Sequence, residues 1–235
     1  MKSELRPPGK LQTLLEARTP FQAAFSFLHA CALKAAPKGD GRAIVLLPGY
    51  LTDKYAMYPL KSYLSYLGYK VFDWGQGRNM GAVEELVDAE ITHIEQLKAS
   101  RGIESFTLIG WSLGGVISRE IARLLPDTID EVITMGTPIT GGPKYTAPGQ
   151  QYIKSHGVDI EELEALILER NQMGLTQPVT SIYSKSDGIV AWEAALDIYN
   201  KHAQNIEVSS THLGMGVNAQ VWLTVANVLS KTTSN

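Results

Sequence analysis

A single cysteine in 235 residues, Cys31, rules out an internal disulfide, and without paired Cys or Cys/His spacing the sequence offers no structural zinc site. A reducing compartment, and so a cytoplasmic location, is expected. Charge of one sign is also scarce. The chain has 21 basic and 24 acidic residues, a net charge of −3, mixed along its length. It therefore offers no broad basic face for nucleic acid or anionic lipid. Met1 to Lys10 is polar, with two prolines and no apolar core, and does not open like a secretory signal. Pro20 to Ala36 is apolar but interrupted by Gln22, His29 and Lys34, and falls short of a bilayer span. It is expected to pack as a helix on the domain, with a weak membrane or lipid-interface contact as the alternative.

The chain is 44% hydrophobic and 19% charged, which fits one soluble domain over residues 1–235. After a helical extension over residues 1–40, Ala43 to Leu47 is a short continuous apolar run of the kind buried in a parallel sheet. Strand and helix then alternate. Strands are predicted over 69–73, 106–109, 131–135, 179–183 and 206–209, and helices over 55–67, 83–99, 113–125, 192–199 and 217–229. That order means an α/β fold with a mostly parallel sheet of about six strands and helices on both faces. Residues 138–178 exceed a tight connection and read as a cap insertion. Its first half is rich in Gly and Pro, and Asp159 to Arg170 reads as one helix with Leu163, Leu166 and Ile167 at helical spacing.

Gly110-Trp111-Ser112-Leu113-Gly114 lies where the strand 106–109 runs directly into a helix. A serine on such a turn has its hydroxyl exposed at the sheet edge, and flanking glycines admit the close backbone approach. Ser112 is therefore the candidate nucleophile. It needs a base and an orienting acid, and these should lie in loops after later strands, because open α/β sheets bind ligands at the carboxyl ends of their strands. Asp187 follows the strand 179–183 and His212 follows the last one, in the order Ser, Asp, His. Asp197, inside a predicted helix, is the weaker acid. His29, His93 and His202 fall in helical segments and His156 in the insertion, where packing or surface roles are expected. The main-chain N–H groups of Leu113 and Tyr50 are the candidate oxyanion donors. Trp111, Leu163, Leu166 and Ile167 are the candidate substrate contacts.

Gly75-Gln76-Gly77-Arg78-Asn79-Met80-Gly81 also follows a strand, but its spacing departs from the dinucleotide fingerprint and no phosphate-loop Gly-Lys-Ser/Thr is present. Arg78 and Asn79 are expected to fasten this loop by hydrogen bonds, with lining of the substrate mouth as the alternative.

Together Leu47-Pro48-Gly49-Tyr50, the segment 110–115, Met135-Gly136-Thr137-Pro138, Ser186-Asp187-Gly188-Ile189-Val190 and Thr211-His212-Leu213-Gly214 resemble the α/β-hydrolase superfamily, more closely its compact bacterial lipase and esterase-like members. The resemblance spans roughly Ala43 to Leu229. It implies a Ser-His-Asp triad, hydrolysis through an acyl-enzyme and no cofactor. The cap leaves the sheet at the carboxyl edge, and one short helix there would enclose only a modest volume, so a small acyl ester of short to medium chain is the expected substrate. Two departures stand out. Many relatives carry His-Gly where this chain has Pro48-Gly49, and the N-terminal segment replaces the family's first strands. Acyl transfer or thioester cleavage would use the same triad, and a non-catalytic ligand-binding protein on this fold is the alternative from another class.

Overall fold

The computed structural model describes residues 5–232; the opening residues 1–4 of the N-terminal extension and residues 233–235 lie outside that range. In the extension α1 (Lys10–Leu14), α2 (Thr19–Phe25) and α3 (Ala30–Ala35) are short helices joined by single 3₁₀ turns at Leu15–Arg18 and Ser26–His29. The continuous helix expected over 20–36 is thus broken into short pieces.

Strand β1 (Ala43–Leu47) is buried on both faces. Helix α4 (Lys54–Leu67) starts on Asp53, whose carboxylate accepts from Tyr55 N–H, and stops at Gly68, whose φ of 109° suits glycine. Strand β2 (Lys70–Asp73) and helix α5 (Val83–Arg101) follow, then β3 (Phe106–Trp111), α6 (Leu113–Leu124) and β4 (Ile129–Met135). The insertion contains α7 (Gly149–His156) and α8 (Ile160–Gln172), after which come β5 (Val179–Tyr183), β6 (Gln204–Glu207) and α9 (Ala219–Thr232).

The strands form one sheet in the order β2-β1-β3-β4-β5-β6, every neighbouring pair parallel. This is the α/β-hydrolase arrangement expected from the sequence. Alternate residues of β1 feed the two layers. Ile44 and Leu46 pack with Leu60 and Leu64 of α4 and Val221 and Val225 of α9, and Val45 and Leu47 pack with Ile94 of α5 and Ile117 and Ile121 of α6. From β1 the chain goes to one side, to β2, then crosses to the other, to β3. The loops leaving β1 and β3 therefore diverge and open a crevice at the carboxyl edge.

Two expectations are corrected here. The helix predicted over 192–199 is only a 3₁₀ turn, Trp192–Ala195. Asp197 N–H donates to Asn205 Oδ1, so it is unavailable for a helical bond, while its carboxylate accepts from Tyr199 and Asn200 N–H. The insertion carries two helices rather than one. Gly149–His156, expected as Gly/Pro-rich loop, closes on Gly157 at φ 62° and is fixed by Tyr152, whose hydroxyl donates to Gly81 O at 2.7 Å. Among the described residues no helix is long and apolar enough to cross a membrane.

Candidate active site

Strand β3 delivers Ser112 into α6 through a turn that holds the serine at φ 54°, ψ −122°. A non-glycine residue there is strained, and the surroundings hold it in place. Ser112 N–H donates to Met135 O at 2.8 Å, and Thr137 Oγ1 donates to Ser112 O at 3.0 Å. The flanking glycines are sterically required. A Cβ on Gly110 would lie 2.4 Å from the Gly114 carbonyl oxygen, and one on Gly114 would lie 2.2 Å from that of Leu47.

The loops after β5 and β6 bring Asp187 and His212 together. His212 Nδ1 donates to Asp187 Oδ2 at 2.7 Å, with both side chains buried. The other carboxylate oxygen accepts from Ile189 and Val190 N–H at 2.9 and 2.7 Å, which fixes the acid's rotamer. Ser184 ties the two loops to each other, donating from Oγ to Ser210 O at 2.6 Å and accepting from Ser210 N–H. Burial of the imidazole works against its charge, but the Asp187 carboxylate, helped by Glu16, outweighs this and raises the His212 pKa above the ordinary histidine value. With Nδ1 donating to Asp187, Nε2 is the nitrogen left to accept a proton. The Met135–Thr137 corner joins this pair to Ser112, since a Cβ on Gly136 would meet Asp187 Oδ2 and His212 Nδ1 at 3.0 Å each. Among the described residues no hydrogen bond links Ser112 Oγ to His212. In such sites that bond often tightens only with substrate bound.

Asp197 lies elsewhere. Its carboxylate pairs with Arg119 Nη1 at 2.6 Å in the interior. Burial raises the cost of its charge, yet Arg119 and the Asn200 hydrogen bonds outweigh this and hold its pKa below the usual carboxylate value.

Ser112, Leu113 and Tyr50 line one cavity of about 280 Å³. Among the described residues the main-chain N–H groups of Tyr50 and Leu113 donate to no protein acceptor. The loop carrying Tyr50 is held by Asn79, which is fully buried. Its Nδ2 donates to Pro48 O at 2.9 Å, and its main chain exchanges hydrogen bonds with Leu51 and Thr52. Asn79 thus fastens the Pro48-Gly49 loop, whereas Arg78 is exposed.

From the cap, Leu163 and Ile167 line the cavity, but Leu166 does not. One position before Ile167 on α8, Leu166 is turned about 100° around the helix axis. Trp111 does not line it either: the indole is buried and lies 5.6 Å, ring to ring, from His212. As the last residue of β3 it points into the core rather than into the crevice. Arg119 and Asn171 add polar groups to the cavity that sequence reasoning did not assign.

Glu16 was also not anticipated. It is 5% exposed, and its carboxylate accepts three main-chain hydrogen bonds, from Gly188 and His212 N–H on Oε1 at 2.8 and 2.9 Å and from Leu213 N–H on Oε2 at 2.9 Å. Neighbouring polar side chains act alongside it. Thr13 Oγ1 donates to Gly188 O, Thr19 bonds Thr211, and Gln22 Oε1 accepts from Thr211 N–H. A polar residue every third position was visible in the sequence, but nothing local showed that this face points inward. Among the described residues no group of three or more His, Cys, Asp and Glu side chains could hold a metal ion.

Residues 42–154 match the family model described as alpha/beta hydrolase fold. The chain is also similar to solved structures. An alpha/beta superfamily hydrolase from Oenococcus oeni is 15% identical, with 83% of this chain and 94% of that chain covered at a TM-score of 0.60. An esterase from Pyrococcus furiosus is 18% identical, covering 82% and 84% at 0.62. The thioesterase domain from the curacin biosynthetic pathway is 14% identical, covering 82% and 93% at 0.57.

Proposed function

We propose that this α/β-hydrolase-fold protein is a serine hydrolase that cleaves carboxylic esters of short to medium acyl chain. The observation that carries the reading is the strained backbone of Ser112, at φ 54°, held on the wall of the same cavity as two unpartnered main-chain N–H groups. Strain of this kind, about 1–3 kcal/mol, persists where a side chain must be presented in one direction. In the proposed reaction Ser112 Oγ attacks the ester carbonyl and His212 Nε2 takes the hydroxyl proton. The bond to Asp187 holds the imidazole in the required tautomer and stabilises the imidazolium. The Tyr50 and Leu113 N–H groups receive the oxyanion. The proton then passes to the leaving alcohol, and water repeats the sequence on the acyl-enzyme.

Chain length follows from volume. The cavity of about 280 Å³ is at the small end of ligand sites, and Leu163, Ile167 and Ile189 give it an apolar lining suited to an aliphatic acyl group. A panel of p-nitrophenyl esters from acetate to palmitate tests this, with a fluorophosphonate probe to mark the nucleophile. Turnover is expected to peak between butanoate and octanoate, with the label on Ser112. A label on another serine would overturn the assignment, and preference for acyl thioesters over oxygen esters would overturn the substrate class.

A further inference from the structure

The N-terminal segment is amphipathic in the reverse of the usual sense. Its polar side chains Thr13, Glu16, Thr19, Gln22 and Ser26 turn inward and bond the loops around His212 and Gly188 and the start of α9. Its large apolar side chains turn outward: Leu11, Leu14, Phe21, Phe25 and Leu28 are between 60% and 76% exposed. Scattered exposed leucines need no explanation, but five large side chains on one short segment do. The charges of the segment are just as one-sided. Lys10, Arg18 and Lys34 are exposed and in no ion pair among the described residues, and over residues 5–38 the only acid is the buried Glu16.

From this face we infer that the N-terminal segment docks the protein on an anionic phospholipid surface. Large apolar side chains flanked by unpaired cations on a helical segment are the composition of an interfacial element, in which burial of the apolar groups and attraction to lipid phosphates act together. A second copy of the chain fits less well. A two-fold contact through this face would bring two sets of the same cations together with no carboxylate to pair them. The placement suits an enzyme with a lipid-like substrate. Gly188, held by Glu16 and Thr13, directly precedes Ile189 and Val190 on the wall of the cavity, so the docked surface would lie beside the cavity's edge.

Co-sedimentation of the full chain with vesicles tests the inference, and it reads binding whether or not the ester chemistry is correct. Vesicles of phosphatidylcholine alone are compared with vesicles containing an equal part of phosphatidylglycerol. Binding to the anionic vesicles is expected at least about tenfold above the neutral ones, and to fall with added salt. Lys10→Glu, Arg18→Glu and Lys34→Glu combined are expected to lower the partition coefficient about a hundredfold. Leu14→Ser, Phe21→Ser and Phe25→Ser combined are expected to abolish sedimentation. Neither set touches the cavity, so turnover of a water-soluble short ester without vesicles should stay within about twofold of wild type and certifies the fold. Should the apolar variant lose that activity, the charge-reversed variant decides alone. A wild-type chain that stays in the supernatant, or sediments equally with both vesicle types, overturns the inference. So does a dimer in gel filtration that the apolar substitutions dissociate.

Discussion

The main-chain N–H of His212 donates to Glu16 Oε1 at 2.9 Å, so a residue of the N-terminal segment holds the proposed base in place from 196 positions away in sequence. The same carboxylate holds Gly188, next to the proposed acid, and adds to the field that raises the His212 pKa after the larger effect of Asp187.

Glu16→Gln keeps a carbonyl acceptor but removes the charge. A raised imidazole pKa means that the neutral, proton-accepting form appears only as pH rises through that value, so the acid limb of kcat/KM is expected above the ordinary histidine value of about 6.5. The substitution is expected to move this limb to lower pH and to cut kcat about tenfold, because the imidazolium of the transition state loses stabilisation. A loss of rate at every pH with an unmoved limb would mean that Glu16 only braces the loops.

Ser112→Ala is expected to lower turnover about a thousandfold or more while leaving the fold intact. Ser112→Gly should be equally inactive yet melt about 2–4 °C above the alanine variant, because glycine relieves the positive φ. Calorimetry on the two inactive proteins checks this. Equal melting temperatures would mean that the turn is not strained.

Asp187 and Asp197 separate chemistry from stability. Asp187→Asn should lower kcat about a thousandfold or more with little change in urea midpoint. Asp197→Asn should keep the activity per folded molecule and lose about 3 kcal/mol, since Arg119 would be left buried without its partner. The depressed Asp197 pKa sets the pH window of that stability. It is fully present above the ordinary carboxylate value and lost as pH falls through the depressed one. Urea titrations should therefore separate wild type from Asp197→Asn at neutral pH and converge for the two at strongly acidic pH.

On the cap, Ile167→Ala is expected to raise KM for an octanoate ester about tenfold and for acetate less than about twofold, as buried methylenes contribute about 0.8 kcal/mol each. Leu166→Ala, off the cavity, should change neither. An effect from Leu166 equal to that of Ile167 would place the acyl chain outside the cavity described.

The parallel sheet was legible because its inner strands β1, β3, β4 and β5 are mostly apolar runs punctuated by turn residues, unlike the edge strand β6 with Gln204, Asn205 and Glu207, and the turn at Ser112 because Gly110 and Gly114 occur where a Cβ would strike backbone. The placement of Asp187 and His212 at the carboxyl edge could be read from strand order alone, since each follows a recognisable strand. Side-chain direction was less legible. Helical spacing suggested Leu163, Leu166 and Ile167 as one apolar face, but the cavity takes only part of that arc. Trp111 was mistaken for a substrate contact because adjacency to Ser112 does not indicate which side of the strand end it occupies. Glu16 could not be found at all, because a carboxylate in a helical segment reads as solvated until the distant loops it serves are in view.

The parallel topology sets an order of assembly. Thr13 pairs with Gly188, Glu16 with His212 and Ser26 with Ala219, across 175, 196 and 193 positions respectively. Contacts of such separation carry the largest loop-closure cost while the chain is disordered, and that cost falls once the sheet has brought these distant segments near each other. On a growing chain the segment emerges well before the partners it binds. Its inward polar face therefore has nothing to bind until the loops after β5 and β6 exist. In refolding, the signal of the closed sheet should recover before turnover does, because the two loops are fixed only when the segment carrying Glu16 docks on them.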